Sequence, residues 1–346
     1  MTRPTFRCAL PKVRAFWAVP LIAGLMAALL TSPALASAKT DMPGALASIQ
    51  KRDELVQSIG WKLITGNAQH CANPRPAIGL LLQDVASFSK PDAVRQAMGL
   101  SGDIAVQARA AKSPAHLAGL PVHAEVLAIG EQQMRDLPPV GKERWRRLAD
   151  LHRQLDETLT VSGSVMIEWR GQDAAANTAT LVGITACPSR FEVIADSKRA
   201  SANGKRVAIG EDFVGFTYPE ELLAAAIAHE LAHNLLGHPA WLDKNGRKQR
   251  NIRATEREAD RLMPWLLANG GYDPSAAERF MQEWGPGNDG GLFRGRTHDG
   301  WDERAEFIAA ELPPIRRSVA QNGTANWPQY FQRDIQPAAS APSPIE

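Results

Sequence analysis

The sequence predicts an α+β protein in which a mainly helical part carries a small sheet and receives an inserted segment of short strands. Small and apolar residues recur at helical spacing over 217–238, which predicts a mostly buried helix. Over 77–184 the pattern changes to short apolar runs separated by turn residues, which is typical of strands. With 346 residues, the chain is long enough to form more than one core.

The first 38 residues have the pattern of a secretory signal. Four cations precede an apolar run from Ala15 to Leu30, and cleavage is expected near Ala36 or Ala38. The run is shorter than the roughly 20 residues that a membrane span needs. We therefore expect a secreted chain, in the periplasm of a bacterium, and the alternative is a chain anchored in the membrane by an uncleaved signal. Since no other apolar run reaches spanning length, the mature chain is predicted to lack a transmembrane span.

The charge balance gives no indication of a nucleic-acid partner. The formal net charge is +2, and removal of the signal, with its four cations and no Asp or Glu, changes it to −2. A nearly neutral chain has no general attraction for polyanions, so we expect neither nucleic acid nor acidic lipid as a partner.

The helix predicted over 217–238 carries two histidines that can bind one metal ion. His229 and His233 are four residues apart, so their imidazoles lie one turn apart on the same face. Glu230 points about 100° away from His229. It would therefore lie beside a shared ion, where a carboxylate can take a proton from a water that the ion activates.

A second helical segment offers a third ligand. Glu256 and Asp260 share one helix face, and Glu258 is turned away from both. We therefore predict Glu256 as a metal ligand and Asp260 as the carboxylate that orients a ligating imidazole through its other nitrogen. Glu258 is expected to be a solvated carboxylate.

Three motifs resemble the zinc metallopeptidases of the HtpX and BepA family: HELAH over 229–233, EREAD over 256–260, and Thr297-His298 followed by Arg304. The resemblance implies a gluzincin fold, with a mainly helical core, a small edge sheet and one Zn²⁺ per chain. The residues that it implies are His229, His233 and Glu256 as zinc ligands and Glu230 as the general base.

The resemblance also assigns a catalytic part to His298 and Arg304, which would line the site. His298 would either stabilise the oxyanion or occupy a fourth coordination position. The family's usual His-Pro is His298-Asp299 in this chain.

The inserted segment has a characteristic succession of short strands and helices. Its features are apolar strands at Ile78–Leu82, Ile104–Val106 and Glu125–Gly130, the run SPAHLAGL over 113–120, a helix over about 142–155 and strands over 165–170 and 180–184. This succession resembles the bacterial PDZ domain, which implies a small β-barrel domain. A peptide ligand would add to the edge strand Ile78–Leu82, beside the helix that begins near Lys142. The alternative is a rigid insertion that restricts access to the metal.

Cys71 and Cys187 lie just outside the two ends of this segment. An oxidising compartment and an even pair predict a disulfide that joins the two stems. Two buried thiols or a redox switch are the alternatives. Cys8 precedes the apolar run and is expected to leave with the signal.

The expected domains are a signal peptide over 1–38, an N-terminal helical part of the peptidase over 39–75, a PDZ-like insertion over 76–185, a zinc metallopeptidase core over 186–335 and a disordered tail over 336–346. The expected function is cleavage of polypeptide substrates by a zinc endopeptidase, with the PDZ-like domain recruiting or gating them. By family resemblance, these substrates would be misfolded or misassembled envelope proteins. The alternative is a PDZ binding or chaperone-like envelope protein without proteolytic activity, whose structural zinc would be closed by a fourth protein ligand.

Several local expectations complete the interpretation. Thr217 is expected to cap the first zinc helix. By family resemblance, the strand Arg206–Ile209 would lie near the active-site edge, where substrate could add as a strand. The polar run Asp243–Arg253 is expected to be a solvated loop, and Pro264 to kink or end the second zinc helix.

Overall fold

The structure, a computed structural model, describes residues 42–171, 174–288 and 299–335. The predicted α+β class is confirmed. The helices are α1 (Met42–Gly66), α2 (Pro91–Met98), α3 (Pro114–Leu117), α4 (Arg146–Ser162), α5 (Glu220–Leu235), α6 (His238–Asn245), α7 (Gln249–Asn269), α8 (Ala276–Asn288), α9 (Trp301–Asn322) and α10 (Trp327–Tyr330). The strands are β1 (Arg75–Ala77), β2 (Leu80–Asp84), β3 (Ile104–Arg109), β4 (Glu125–Ile129), β5 (Gln132–Gln133), β6 (Ser164–Arg170), β7 (Ala176–Val182), β8 (Ile184–Ala186), β9 (Arg190–Ile194), β10 (Ala200–Ala202) and β11 (Arg206–Gly210).

The buried apolar side chains of the described residues fall into two clusters. The larger lies where α5 packs on α7, with α1, α8, α9 and the β9–β11 sheet around them, and it includes the fully buried Ile227 and Trp265. The second lies between the sheet that contains β2, β3, β4, β6 and β7 and the helix α4, and it includes Leu82, Leu155 and Ile167. The metal-binding motifs belong to the first cluster.

The strands of the second cluster pair antiparallel in the order β2-β3-β4-β6-β7, with β5 on β4, and this ladder is open among the described residues. The helix expected over about 142–155 is present as α4 but begins and ends later. The helix α2 was not predicted. It begins with a proline in its first turn and ends at Gly99, whose φ of 68° is the left-handed conformation that glycine favours.

The edge of β2 that was expected to receive a peptide faces α4. All five residues of β2 are buried, and the Leu82 backbone N–H donates to Nε2 of His152 on α4 at 3.4 Å. Burial lowers the pKa of His152 to about 3, so its imidazole is neutral and can accept this hydrogen bond. The chain's own helix therefore occupies part of this strand edge.

The small sheet of the first cluster has the order β10-β11-β9, with β11 parallel to β9 and antiparallel to β10. The strand that was expected near the active-site edge, β11, is therefore central, so a substrate strand cannot add to β11 itself, and that part of the expectation is wrong. The outer strand beside it is β10, whose three small residues carry too weak a β-pattern to be predicted. Asn234 of α5 accepts from the Gly204 N–H at 2.6 Å, which ties the β10–β11 turn to the helix.

The start of α5 also differs from its prediction. The helix begins at Glu220, directly after Pro219, and the Thr217 hydroxyl donates to the Val214 carbonyl oxygen at 2.8 Å instead of capping the helix. Glu220 accepts from Lys62 at 2.7 Å and from the Tyr272 hydroxyl at 2.8 Å. The first turn is therefore fixed by tertiary contacts and not by a capping box.

The predicted loop over 243–253 is mostly helical, since α6 ends at Asn245 and α7 begins at Gln249. Pro264 does not end α7, which continues to Asn269. The three residues directly after the proline, Trp265, Leu266 and Leu267, are fully buried. Burial of these side chains stabilises the end of α7, and this stabilisation exceeds the cost of the backbone hydrogen bond that the proline cannot make. No helix among the described residues is long and apolar enough to span a membrane.

The structure joins Cys71 to Cys187 by a disulfide, with 5.6 Å between their Cα atoms. Next to it, β1 pairs antiparallel with β8. The two stems of the stranded segment are therefore held together by a covalent bond and by backbone hydrogen bonds.

Replacing both cysteines by serine is expected to lower the free energy of unfolding by about 2–4 kcal/mol, because the bond spans 116 residues and restricts the unfolded chain. The measurement is denaturant unfolding of the mature chain. Reduced wild-type protein is the matched control, and its unfolding midpoint should agree with that of the variant. An unchanged midpoint in both samples would show that the bond contributes nothing to stability.

Asp53 of α1 is 2% exposed and touches both clusters. One carboxylate oxygen accepts from Gln107 Nε2 of β3 at 2.7 Å, and the other accepts from the Val193 N–H of β9 at 2.6 Å. Burial raises the pKa of Asp53 to about 7, against the opposing effect of these two hydrogen bonds.

This carboxylate is expected to make stability depend on pH. The pKa of Asp53 in the folded chain, about 7, lies above the ordinary value of 3.8. Its contribution to the free energy of unfolding is therefore complete below its pKa in the unfolded chain and is lost as the pH rises through its pKa in the folded chain. Asp53→Asn removes this titration. The free energy of unfolding of the variant, relative to that of wild type, should therefore be about 1–3 kcal/mol more favourable at about pH 8 than at about pH 5. Urea unfolding at both pH values measures this, with Asp92→Asn, at a carboxylate that is 98% exposed, as the control. A difference that does not vary with pH would contradict the prediction.

Candidate metal centre

The candidate centre lies where α5 crosses α7. The two helices pack on each other, and the small side chains of Ala228 and Ala232 on α5 and of Ala259 on α7 are fully buried in the same cluster. Small residues at a crossing let two helix backbones approach closely. The faces that carry His229, His233 and Glu256 are thereby brought together.

The three candidate ligands form a triangle of two imidazole nitrogens and one carboxylate group, and one ligand atom from each lies within 4.8 Å of the others. Nε2 of His229 lies 3.2 Å from Nε2 of His233. The two oxygens of Glu256 lie 3.3 Å from Nε2 of His229 and 3.5 Å from Nε2 of His233. A tetrahedral site with bonds of 2.0–2.1 Å requires ligand atoms about 3.3–3.4 Å apart. The three residues therefore fit a small divalent ion, and this group can hold one.

A charged network binds the Nδ1 side of His229, away from the ligand triangle. Its Nδ1 lies 3.0 Å from Asp260 Oδ1. Arg304 of α9 donates to the same carboxylate from Nε at 2.6 Å and from Nη2 at 2.8 Å. Burial acts to raise the pKa of Asp260, but Arg304 and His229 keep it below its usual range. Asp260 thus accepts from Nδ1 and leaves Nε2 of His229 directed at the triangle.

The surrounding carboxylates favour a positive charge at this position. Burial alone would lower the pKa of His229, but hydrogen bonds to Asp260 and Glu256 outweigh it and raise the pKa to about 10. Burial dominates at His233 and lowers its pKa to about 3. A divalent cation would supply the charge that these carboxylates favour and would use both imidazoles as neutral ligands.

A second network holds His233, and sequence reasoning did not identify it. Nδ1 of His233 lies 3.0 Å from Nδ1 of His238, and Nε2 of His238 lies 3.0 Å from Oε2 of Glu258. Glu258 is fully buried, so the expectation of a solvated carboxylate is wrong. Helix spacing turns it away from the metal, as expected, but α6 and residues 333–335 cover that side of α7.

The signal for His238 lies in the sequence Gly237-His238-Pro239. Gly237 has a φ of 70°, which ends α5, and α6 begins at the next residue with a proline in its first turn. This reversal returns His238 toward His233, five residues earlier. A histidine directly after a helix-ending glycine, next to a pair of candidate ligands, is the feature that would have identified it.

The remaining predicted site residues lie as follows. Glu230 is half-buried on α5, directly after His229. Arg304 is 7% exposed and is bound to Asp260 through two nitrogens. His298 lies outside the described residues, as do the predicted signal and the tail over 336–346.

Comparisons with known protein families and with curated proteins give no match to this chain.

Proposed function

We propose that this protein is a zinc-dependent endopeptidase with a gluzincin-type centre. The observation that carries the proposal is the triangle of His229, His233 and Glu256, in which the two imidazole nitrogens lie 3.2 Å apart and each lies 3.3–3.5 Å from one oxygen of the Glu256 carboxylate. Two imidazoles and one carboxylate suit zinc, whereas sites made only of oxygen ligands suit magnesium and calcium. The described residues offer three protein ligands, the number typical of a catalytic site, whereas a structural zinc site has four.

When bound, zinc would supply a Lewis acid that acidifies a water and polarises the scissile carbonyl. Glu230 would take the proton from the attacking water and return it to the departing amine. Its position directly after His229 supports this role, because the same helix turn fixes both side chains. Asp260 would keep the proton of His229 on Nδ1, and Arg304 would keep Asp260 charged. We therefore assign Arg304 to positioning His229, and the part of His298, either in stabilising the intermediate or as a fourth ligand, stays a prediction.

We propose that the stranded segment over residues 76–185 does not recruit peptide through the edge of β2. The support is the burial of β2 and the hydrogen bond from the Leu82 N–H to His152. A peptide that added to this edge would have to replace His152 at a backbone donor. The substrates proposed are polypeptides.

The proposal is tested on the mature chain by metal analysis together with digestion of casein. We expect one zinc per chain, loss of cleavage after removal of zinc by a chelator and return of cleavage when zinc is added back. Zinc that is present in stoichiometric amount with no cleavage of casein or of an unfolded peptide library would favour the non-proteolytic alternative and overturn the enzymatic proposal.

A further inference from the structure

Residues 331–335 lie against the network behind His233. Arg333 donates to Oε2 of Glu258 from Nε at 3.1 Å and from Nη2 at 2.8 Å, and the Ile335 N–H donates to Oε1 at 2.6 Å. Phe331 and Ile335 are buried, at 7% and 6% exposure. Asp334 pairs with Arg261 of α7 at 3.2 Å. This short stretch, the C-terminal segment, is therefore held by apolar burial, by ion pairs and by a backbone hydrogen bond.

The direction of each hydrogen bond in this network follows from its end at Glu258. A carboxylate only accepts, so Nε2 of His238 donates to it and carries the proton of that imidazole. Nδ1 of His238 is then the acceptor, and the N–H that faces it at 3.0 Å belongs to Nδ1 of His233. With its proton on Nδ1, His233 presents the lone pair of Nε2 to the ligand triangle.

We propose that the C-terminal segment is a functional part of the metal centre, because it holds Glu258, which orients His238 so that His233 offers Nε2 to the metal. His238 and Glu258 are thus positioning residues that correspond, on the second ligand, to Asp260 on the first. Glu258 lies between the segment and His238, so docking of the segment and metal affinity are coupled. The inference rests on the proposed zinc site. It adds that the affinity of this site for zinc depends on the C-terminal segment, which is distant from the ligands in sequence.

The first test removes the network at His238. Partners of this kind typically contribute 10–100-fold to metal affinity, so His238→Leu is expected to weaken Zn²⁺ binding by about that factor. His238→Asn places an amide oxygen near the position of Nδ1, where it can accept from His233, and should recover part of the loss. Zn²⁺ affinity is measured by competition with a chelating indicator, and the visible absorption of the Co²⁺-loaded protein reports the ligand geometry. A wild-type affinity and an unchanged Co²⁺ spectrum in His238→Leu would overturn the inference.

The second test addresses the segment. Removal of residues 331–346 takes away buried Phe331 and Ile335 and can unfold the chain, so the decisive variant is Arg333→Met. It keeps the length of the side chain and removes both of its hydrogen bonds to Glu258. We expect a loss of about 10-fold in Zn²⁺ affinity. The thermal midpoint of the metal-free variant should also fall, because Glu258 is buried and loses the partner of its charge, so the affinity is measured well below that midpoint, where the variant is folded. The matched control is Arg317→Met, at an exposed arginine of α9, which should bind Zn²⁺ like wild type.

The outcomes separate this inference from the proposed function. Failure of wild type to bind Zn²⁺ would remove the proposed function and this inference together. Wild-type binding and cleavage of casein, with the same affinity in Arg333→Met and His238→Leu, would leave the enzyme and remove only the role of the segment.

Discussion

Glu230→Gln is expected to reduce the cleavage of casein by about 10²–10⁴-fold and to leave the zinc content at one per chain. The range is the usual contribution of a positioned general base. Glutamine has the size of glutamate but cannot accept the proton of the attacking water at neutral pH. Because Glu230 is not one of the three residues in the ligand triangle, the metal should stay bound. The measurements are initial rates on casein and metal analysis of the same preparation.

The matched control is Glu221→Gln, which makes the same change of charge on the same helix. Its side chain is 43% exposed and pairs with Arg279 at 2.9 Å, away from the ligand triangle. This control should cleave casein at the wild-type rate. Wild-type cleavage by Glu230→Gln itself would exclude Glu230 as the general base.

Asp260→Asn is expected to destabilise the protein by about 3–5 kcal/mol, because it leaves the buried guanidinium of Arg304 without its counterion. It should also weaken Zn²⁺ binding by about 10–100-fold, because the carboxylate that orients His229 is lost. Denaturant unfolding of the metal-free chain and competition with a chelating indicator measure the two effects separately.

A second substitution separates the two roles of this carboxylate. Asp260→Asn combined with Arg304→Met removes the unpaired charge, so the double variant should recover most of the lost stability but not the lost affinity for Zn²⁺. Asp243→Asn, on α6 at an exposed ion pair with Arg247, which follows that helix, is the control and should change neither quantity appreciably. An Asp260→Asn variant with wild-type affinity would show that Asp260 does not orient His229.

The members of the ligand triangle were predictable on each helix from periodicity, whereas the packing of α5 on α7 that joins the two faces does not follow from it. Four-residue spacing places His229 with His233 and Glu256 with Asp260, and the structure has both pairs on facing sides of α5 and α7. The period also turns Glu258 away from the metal. It contains no information on what packs against that other side, so the burial of Glu258 by α6 and the C-terminal segment could not be inferred from it.

Local patterns failed where a tertiary contact outweighed them. Thr217 and Glu220 match a capping box, but Lys62 and Tyr272 bind Glu220 and the helix begins after Pro219. Pro264 is a helix breaker in isolation, yet the burial of Trp265 extends the helix beyond it. In both cases the deciding partner is distant in sequence. The charged run over 243–253 is mostly exposed, as expected, but it is largely helical, in the end of α6 and the start of α7.

The most direct measurement of the central claim is anomalous diffraction at the zinc edge from crystals of the purified mature chain. The proposed centre predicts one strong peak about 2.0–2.2 Å from Nε2 of His229, Nε2 of His233 and a carboxylate oxygen of Glu256, with no fourth protein ligand other than His298. A peak elsewhere, or a fourth side chain other than His298 bound to the ion, would contradict the proposed catalytic centre.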